Sequence, residues 1–181
     1  MNLANKLTLL RVVLVPVFMV LLLMDGMWFK IGALAVFVIA SLTDMLDGQI
    51  ARRYNQITTF GKFADPLADK MLTTAAFLGF MEMGIINSWA LLIILLREFA
   101  VSGIRLAAAG EGEVIAASFF GKFKTVAQMV AIIATLLLMI LPVEQTAANI
   151  ISAALIWISI VFTVLSGADY VVRNWKLMKL K

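Results

Sequence analysis

Asp44, Asp47, Asp65 and Asp69 are four carboxylates set against long apolar runs. The segment T-D-M-L-D-G-Q-I-A-R spans Thr43–Arg52, and G-K-F-A-D-P-L-A-D spans Gly61–Asp69. Together they read D-x2-D-G-x2-A-R-x8-G-x3-D-x3-D. Acids inside a membrane are costly and persist where they face a polar cavity and a counter-charge. A spacing of three stacks Asp44 and Asp47 on one helix face, and a spacing of four does the same for Asp65 and Asp69. Two such faces, joined by a short connection, make a pocket of four carboxylates. Four negative charges in a partly desolvated site need either protons or cations. Arg52 is one nearby positive charge and is not enough. The chain has neither histidine nor cysteine, so an all-oxygen set favours Mg²⁺ or Mn²⁺ over Zn²⁺. Two ions about 3.5–4 Å apart would clamp phosphate oxygens and stabilise charge in an in-line displacement. Gly48, Ala51 and Gly61 lack bulk beside these acids, which lets a ligand approach the backbone. Small residues also serve tight helix packing. The acids themselves have two plainer readings, a set of buried salt bridges and a solvated interfacial face.

The elements that must hold this cluster are apolar. The chain has 181 residues, 63% of them hydrophobic, and a mean hydropathy of +1.02. A soluble domain is nearer half apolar, and a chain this small cannot hide the excess in one aqueous core. Disulfides, thiolate metal sites and imidazole catalysis are excluded by composition. The first apolar run carries Arg11 inside it and lacks a small-x-small site, so it reads as a retained transmembrane helix.

Six segments, each near the roughly 20 residues that cross a bilayer core, can be marked. They cover Leu7–Met24, Ile31–Ala51, Pro66–Ile86, Ser88–Ala109, Phe123–Leu141 and Ala147–Val172. Pro66 suits the first turn of the third helix. Ser88 suits the N-cap of the fourth, and Pro142 follows the fifth. The connections Asp25–Lys30, Tyr54–Asp65, Asn87, Gly110–Lys122 and Val143–Thr146 are short, with no linker or repeat. The expectation is an all-α, polytopic integral membrane protein: six transmembrane helices in one bundle, residues 1–181 forming a single domain.

With six spans both termini share a side. Fourteen of the fifteen Lys and Arg residues fall on or toward that side, and only Lys30 falls opposite. The shared side is therefore expected to be cytoplasmic, with the aspartates at the cytoplasmic ends of helices two and three. The basic excess also attracts anionic lipid headgroups, which is reason enough for Arg173, Lys176, Lys179 and Lys181. Nucleic acid is not expected as a partner.

The aspartate pattern resembles the signature of the CDP-alcohol phosphotransferases, membrane enzymes of phospholipid synthesis. All eight signature positions are filled: Asp44, Asp47, Gly48, Ala51, Arg52, Gly61, Asp65 and Asp69. The six-helix layout agrees over essentially the whole chain. The resemblance implies transfer from a CDP-linked donor to an alcohol with release of CMP. It implies a two-metal centre of Mg²⁺ or Mn²⁺ on Asp44, Asp47, Asp65 and Asp69. It further implies that Asp44, Gly48, Ala51, Arg52 and Gly61 seat the CDP moiety, and that Asp69 is the general base. A metal-bound carboxylate is a weak base but can accept a hydroxyl proton as attack proceeds. A bacterial inner membrane and a homodimer are what the resemblance suggests for setting and assembly.

Finer motifs concern the acceptor. N-K-L-T-L-L-R (Asn5–Arg11), D-P-L-A-D-K (Asp65–Lys70), R-E-F-A-V-S-G-I-R (Arg97–Arg105) and G-K-F-K-T (Gly121–Thr125, placed in a loop) resemble bacterial members. In those members the donor is CDP-diacylglycerol and the acceptor sn-glycerol 3-phosphate. The dianionic phosphate of that acceptor would suit Arg97, Arg105, Lys122 and Lys124, with arginine giving fork-shaped contacts and lysine a point charge. The plainer readings are that Arg97 pairs with Glu98 and that the two lysines meet lipid headgroups. Thr8 and Arg11 can reach the pocket from helix one, or Arg11 can snorkel its head to the interface. The same chemistry with serine, inositol phosphate or phosphatidylglycerol as acceptor is the nearest rival. Ion transport is a more distant one, weakened by the lack of a matching polar path in the outer helix halves.

Overall fold

The computed structural model describes residues 3–53, 59–110 and 118–174, and among these the side chains of 7–43, 70–106, 108 and 118–174. Six helices follow one another: α1 (Leu3–Leu23), α2 (Met27–Arg53), α3 (Thr59–Glu82), α4 (Ser88–Gly110), α5 (Phe119–Leu138) and α6 (Gln145–Arg173). The six apolar segments are thus six helices, and all regular structure among the described residues is helical.

Three local expectations are corrected. α3 starts at Thr59 rather than Pro66, so Gly61 and Asp65 ride on a helix and not in a loop. A proline inside a helix frees one carbonyl, which neighbouring groups in a membrane bundle can satisfy. α5 starts at Phe119 rather than Phe123, because the Ser118 side chain accepts from the Gly121 N–H at 3.1 Å and caps the helix. Gly121, Lys122 and Lys124 are therefore helical. At α4 the cap is Asn87, whose Oδ1 accepts from the Ala90 N–H at 3.1 Å, while Ser88 is the first helical residue.

α1 packs along α2 and α3, while α6 packs along α4 and α5. α3 touches α4 and α5 and joins the two halves. The centre is apolar and aromatic: Phe18, Phe37, Phe77 and Phe80 are fully buried. The Phe18 and Phe37 ring centroids lie 5.6 Å apart and those of Phe77 and Phe80 6.4 Å apart. α3 ends in a left-handed Gly84 at φ 73°. There the Ile85 N–H reaches Phe80 O and the Gly84 N–H reaches Met81 O, satisfying two terminal carbonyls. That turn sends the chain straight back into α4.

The outer surface differs from that of a water-soluble bundle in being largely apolar. Every helix exposes large apolar side chains, among them Val13, Ile39, Leu78, Phe99, Val126 and Ile158. The interior meanwhile holds Gln128, Thr135, Ser152, Ser159, Thr163 and Ser166 along the α5–α6 seam. Gln128 Nε2 donates to Thr163 Oγ1 at 3.1 Å, and Thr163 in turn donates to Ser159 O at 2.8 Å. Small and hydroxylated residues between helices, with aliphatic residues outward, is how helices associate in lipid. Phe119–Leu138 and Gln145–Arg173 are long and apolar enough to cross a membrane, and Leu7–Leu23 and Met27–Thr43 are shorter apolar stretches.

Candidate active site

The register between helices locates the site. Phe18 on α1 meets Phe37 on antiparallel α2. Seven residues from each, which is two turns on both helices, stand Arg11 and the backbone position of Asp44. On the other side of α1, Leu22 crowds Gly79 of α3, where a Cβ would collide with Leu22 Cδ2. Eleven residues back along these two parallel helices, Arg11 is level with position 68, beside Asp69. Fourteen residues back, Thr8 is level with Asp65. Asp44, Asp47, Gly48, Ala51 and Arg52 lie on α2, and Gly61, Asp65 and Asp69 on α3; the two helices are in contact. The side chains of these eight residues, and the pocket expected of the four carboxylates, lie outside the described residues.

At that depth the bundle interior is polar. Thr8 and Arg11 are each 1% exposed, and neither is without a partner. Snorkelling by Arg11 is thereby corrected. The residue shares the inward face of α1 with Thr8 and Phe18, so its guanidinium is held inside the bundle. A buried guanidinium is retained only where acceptors or anions surround it.

A second cluster adjoins this level through Lys70, the residue after Asp69. Glu98 of α4 is its hub. Glu98 Oε1 accepts from Arg97 Nη1 at 3.0 Å and is also bonded by Lys124 Nζ of α5. Glu98 Oε2 lies 3.6 Å from Lys70 Nζ, and Lys70 donates to Glu98 O at 3.3 Å and to Ser102 Oγ. Arg97 Nη2 donates to Ser166 Oγ of α6 at 2.6 Å. The stem of Arg97 lies on Gly167, where a Cβ would meet Arg97 Cγ at 3.1 Å. One carboxylate thus gathers three cations from α3, α4 and α5.

The other basic candidates are placed differently. Arg105 is exposed, with its guanidinium carbon 5.5 Å from the centroid of the buried Tyr170 ring. Lys122 and Lys124 are two residues apart and so leave opposite faces of α5: Lys122 is exposed and Lys124 is 6% exposed. Lys124 is held by Glu98 and does not sit among lipid headgroups. The pairing of Arg97 with Glu98, one of the two readings open from sequence, is present, and it coexists with a bond from Arg97 to Ser166. Sequence reasoning missed Glu98 as a hub, together with Lys70, Ser102 and Ser166. The available signal was an acid in the middle of an apolar helix, which calls for partners in the same way the aspartates do.

No group of three potential ligands that could hold a metal occurs among the described residues. The donor chemistry of the four aspartates nevertheless fits a hard divalent ion, since they sit one helical turn apart in pairs on two helices in contact.

Comparisons with known proteins identify the family. Residues 1–165 match the family model described as CDP-alcohol phosphatidyltransferase. The chain is 44% identical to "CDP-diacylglycerol--glycerol-3-phosphate 3-phosphatidyltransferase" of Bacillus subtilis (strain 168), over 98% of this chain and 97% of that protein. It is 43% identical to "Probable phosphatidylglycerophosphate synthase" of Mycobacterium tuberculosis (strain ATCC 25618 / H37Rv), over 95% and 81%. A relative of the same name as the first, from Escherichia coli (strain K12), is 39% identical over 72% and 74%. A family match across nearly the whole chain shows that the chain belongs to the CDP-alcohol phosphatidyltransferase family.

Proposed function

We propose that the protein transfers the phosphatidyl group of CDP-diacylglycerol to the 1-hydroxyl of sn-glycerol 3-phosphate, yielding phosphatidylglycerol phosphate and CMP. The observation that carries this reading is the convergence, at one depth, of buried and partly buried charged groups from α1, α3, α4 and α5 on the level of the four aspartate positions. The curated relatives named for this same reaction supply the donor and acceptor.

Asp44, Asp47, Asp65 and Asp69 would hold one or two Mg²⁺ or Mn²⁺ ions. When bound, these neutralise the donor pyrophosphate and the charge that builds on departing CMP. Asp44, Gly48, Ala51, Arg52 and Gly61 seat the CDP moiety. Asp69 accepts the hydroxyl proton as the glycerol oxygen bonds to the β-phosphorus and the bond from that phosphorus to the CMP oxygen breaks. Arg97 and Lys124 receive the acceptor phosphate from inside the bundle. Arg105 and Lys122 present positive charge at its mouth, and Thr8 borders the site from α1. The rate gain comes from positioning and from fixed charge in a partly dry site.

Six membrane spans, with both termini and the site toward the cytoplasm of a bacterial inner membrane, suit a lipid donor and a water-soluble acceptor. The donor's acyl chains stay in lipid while its headgroup enters between helices. The test is CMP release by the purified protein with CDP-diacylglycerol and Mg²⁺ or Mn²⁺, comparing glycerol 3-phosphate, serine, inositol phosphate and phosphatidylglycerol. Release that depends on glycerol 3-phosphate is the expected result. Release with another acceptor would overturn the acceptor assignment, and none with any acceptor would overturn the activity.

A further inference from the structure

Glu98 has a position that invites a role beyond charge balance. Its side chain is only 13% exposed, yet it faces Lys70, Arg97 and Lys124 together. One carboxylate cannot neutralise three cations. Its effect is instead to hold like charges close to one another where they would otherwise repel in a medium of low dielectric. Two of the three have a second, uncharged anchor. Arg97 is fixed by Ser166 of α6 and Lys70 by Ser102 of α4. Arg97 is thereby bracketed through Nη1 and Nη2, and its buried Nε has no hydrogen-bond partner among the described residues. A guanidinium held on two sides with its Nε–H still free to donate is oriented for a further acceptor, and an anion with several oxygens is the ligand that cations fixed in this way recognise.

We infer that Glu98 is a positioning residue for the acceptor: its carboxylate holds Arg97, Lys124 and Lys70 in the arrangement that receives the acceptor's phosphate. The inference rests on Arg97 and Lys124 being the acceptor ligands. Glu98 itself touches no reacting atom. It acts through the cations it gathers, and Ser166 acts in the same way on Arg97 alone.

The test uses the full-length protein in detergent, with CMP release measured while each substrate is varied at saturating levels of the other. Glu98→Gln keeps the shape and removes the charge. It should raise the KM for glycerol 3-phosphate by about tenfold, the size of one charge-assisted bond, with the KM for CDP-diacylglycerol changed by less than about twofold. Glu98→Asp should recover part of the loss. Ser166→Ala should raise the same KM by roughly threefold, as expected when the guanidinium loses one hydrogen bond and keeps its pairing with Glu98. An unchanged KM for glycerol 3-phosphate in Glu98→Gln would overturn the inference. So would a fall in that KM, which would mean that Glu98 competes with phosphate for the cations. An equal rise in both KM values would reduce Glu98 to a structural part. If Glu98→Gln does not fold, Ser166→Ala decides, and an unchanged KM there overturns the inference. Wild-type protein that releases no CMP in response to glycerol 3-phosphate would sink the functional reading itself, a result distinct from any of these.

Discussion

Arg97 and Ser166 lie 69 residues apart in sequence, and Arg97 Nη2 donates to Ser166 Oγ at 2.6 Å. The bond ties α4 to α6 at the depth of the Glu98 cluster. It is possible because the neighbour of Ser166 is Gly167, over which the arginine stem passes. A Cβ at that position would stand 3.1 Å from Arg97 Cγ, so the missing side chain is the space the arginine uses.

Gly167→Val should therefore displace Arg97 while leaving the helix intact. Overpacking of this kind costs about 1–3 kcal/mol, and here much of the cost falls on the orientation of the guanidinium. The expected result is a lowered thermal midpoint and a KM for glycerol 3-phosphate raised severalfold. Gly167→Ala should give the same effect in weaker form. Wild-type kinetics in Gly167→Val would show that the arginine's course past α6 is irrelevant to the acceptor.

Arg105 rests on the face of Tyr170, 5.5 Å from the ring centroid. The ring is buried and the arginine is exposed, so Tyr170 offers a fixed seat to an exposed charge. Cation–π contacts at exposed sites contribute about 0.5–1 kcal/mol. Tyr170→Leu should thus raise the KM for glycerol 3-phosphate by roughly two- to fivefold, and Tyr170→Phe, which keeps the ring, should not. Arg105→Ala should raise that KM at least as much as Tyr170→Leu. The comparison of the three by steady-state kinetics separates the ring from the hydroxyl.

The aspartates carry the proposed chemistry, and their removal should be felt in turnover and not in folding. Asp69→Asn keeps size and polarity and removes the proton acceptor, so CMP release should be lost with the thermal midpoint nearly unchanged. Chelation by EDTA should abolish release in the wild type, and Mg²⁺ or Mn²⁺ should restore it. Full activity in Asp69→Asn would remove that residue as the base. Activity that survives chelation would remove the metal requirement.

The sequence carried the six helices because each is an apolar run bounded by charge, proline or asparagine. It carried the aspartate level because acids at helical spacing against such runs have few explanations. Helix starts were harder to read. Pro66 looked like a first-turn residue, and only tertiary support explains a helix that begins two turns earlier at Thr59. The loop assignment of Gly121–Thr125 failed because the Ser118 cap moves the start of α5 upstream of Lys122. That shift decides which lysine faces inward, which charge spacing alone cannot. Arg11 was legible as unusual, yet its burial depends on which face of α1 meets α2 and α3. Glu98, Ser102 and Ser166 come together only through the contacts of α3, α4, α5 and α6. No local pattern announces a hub built from four helices.

The sidedness of the bundle is testable because the chain has no cysteine, so single cysteines can be introduced without background labelling. Trp28 and Trp89 stand at the starts of α2 and α4 and are 83% and 68% exposed. Helix starts separated by one out-and-back pair share a side, and exposed tryptophans at helix ends mark a membrane–water interface. Lys122, at the start of α5, belongs to the opposite side if α4 crosses. A cysteine at position 28 or 89 should react with a membrane-impermeant maleimide in intact spheroplasts. A cysteine at position 122 should react only after permeabilisation. The reverse pattern would invert the bundle and turn Glu98, Lys124 and the aspartate level away from the cytoplasm, where the phosphorylated acceptor could not reach them. Labelling of all three from outside would mean that α4 does not cross, which would remove the six-span topology.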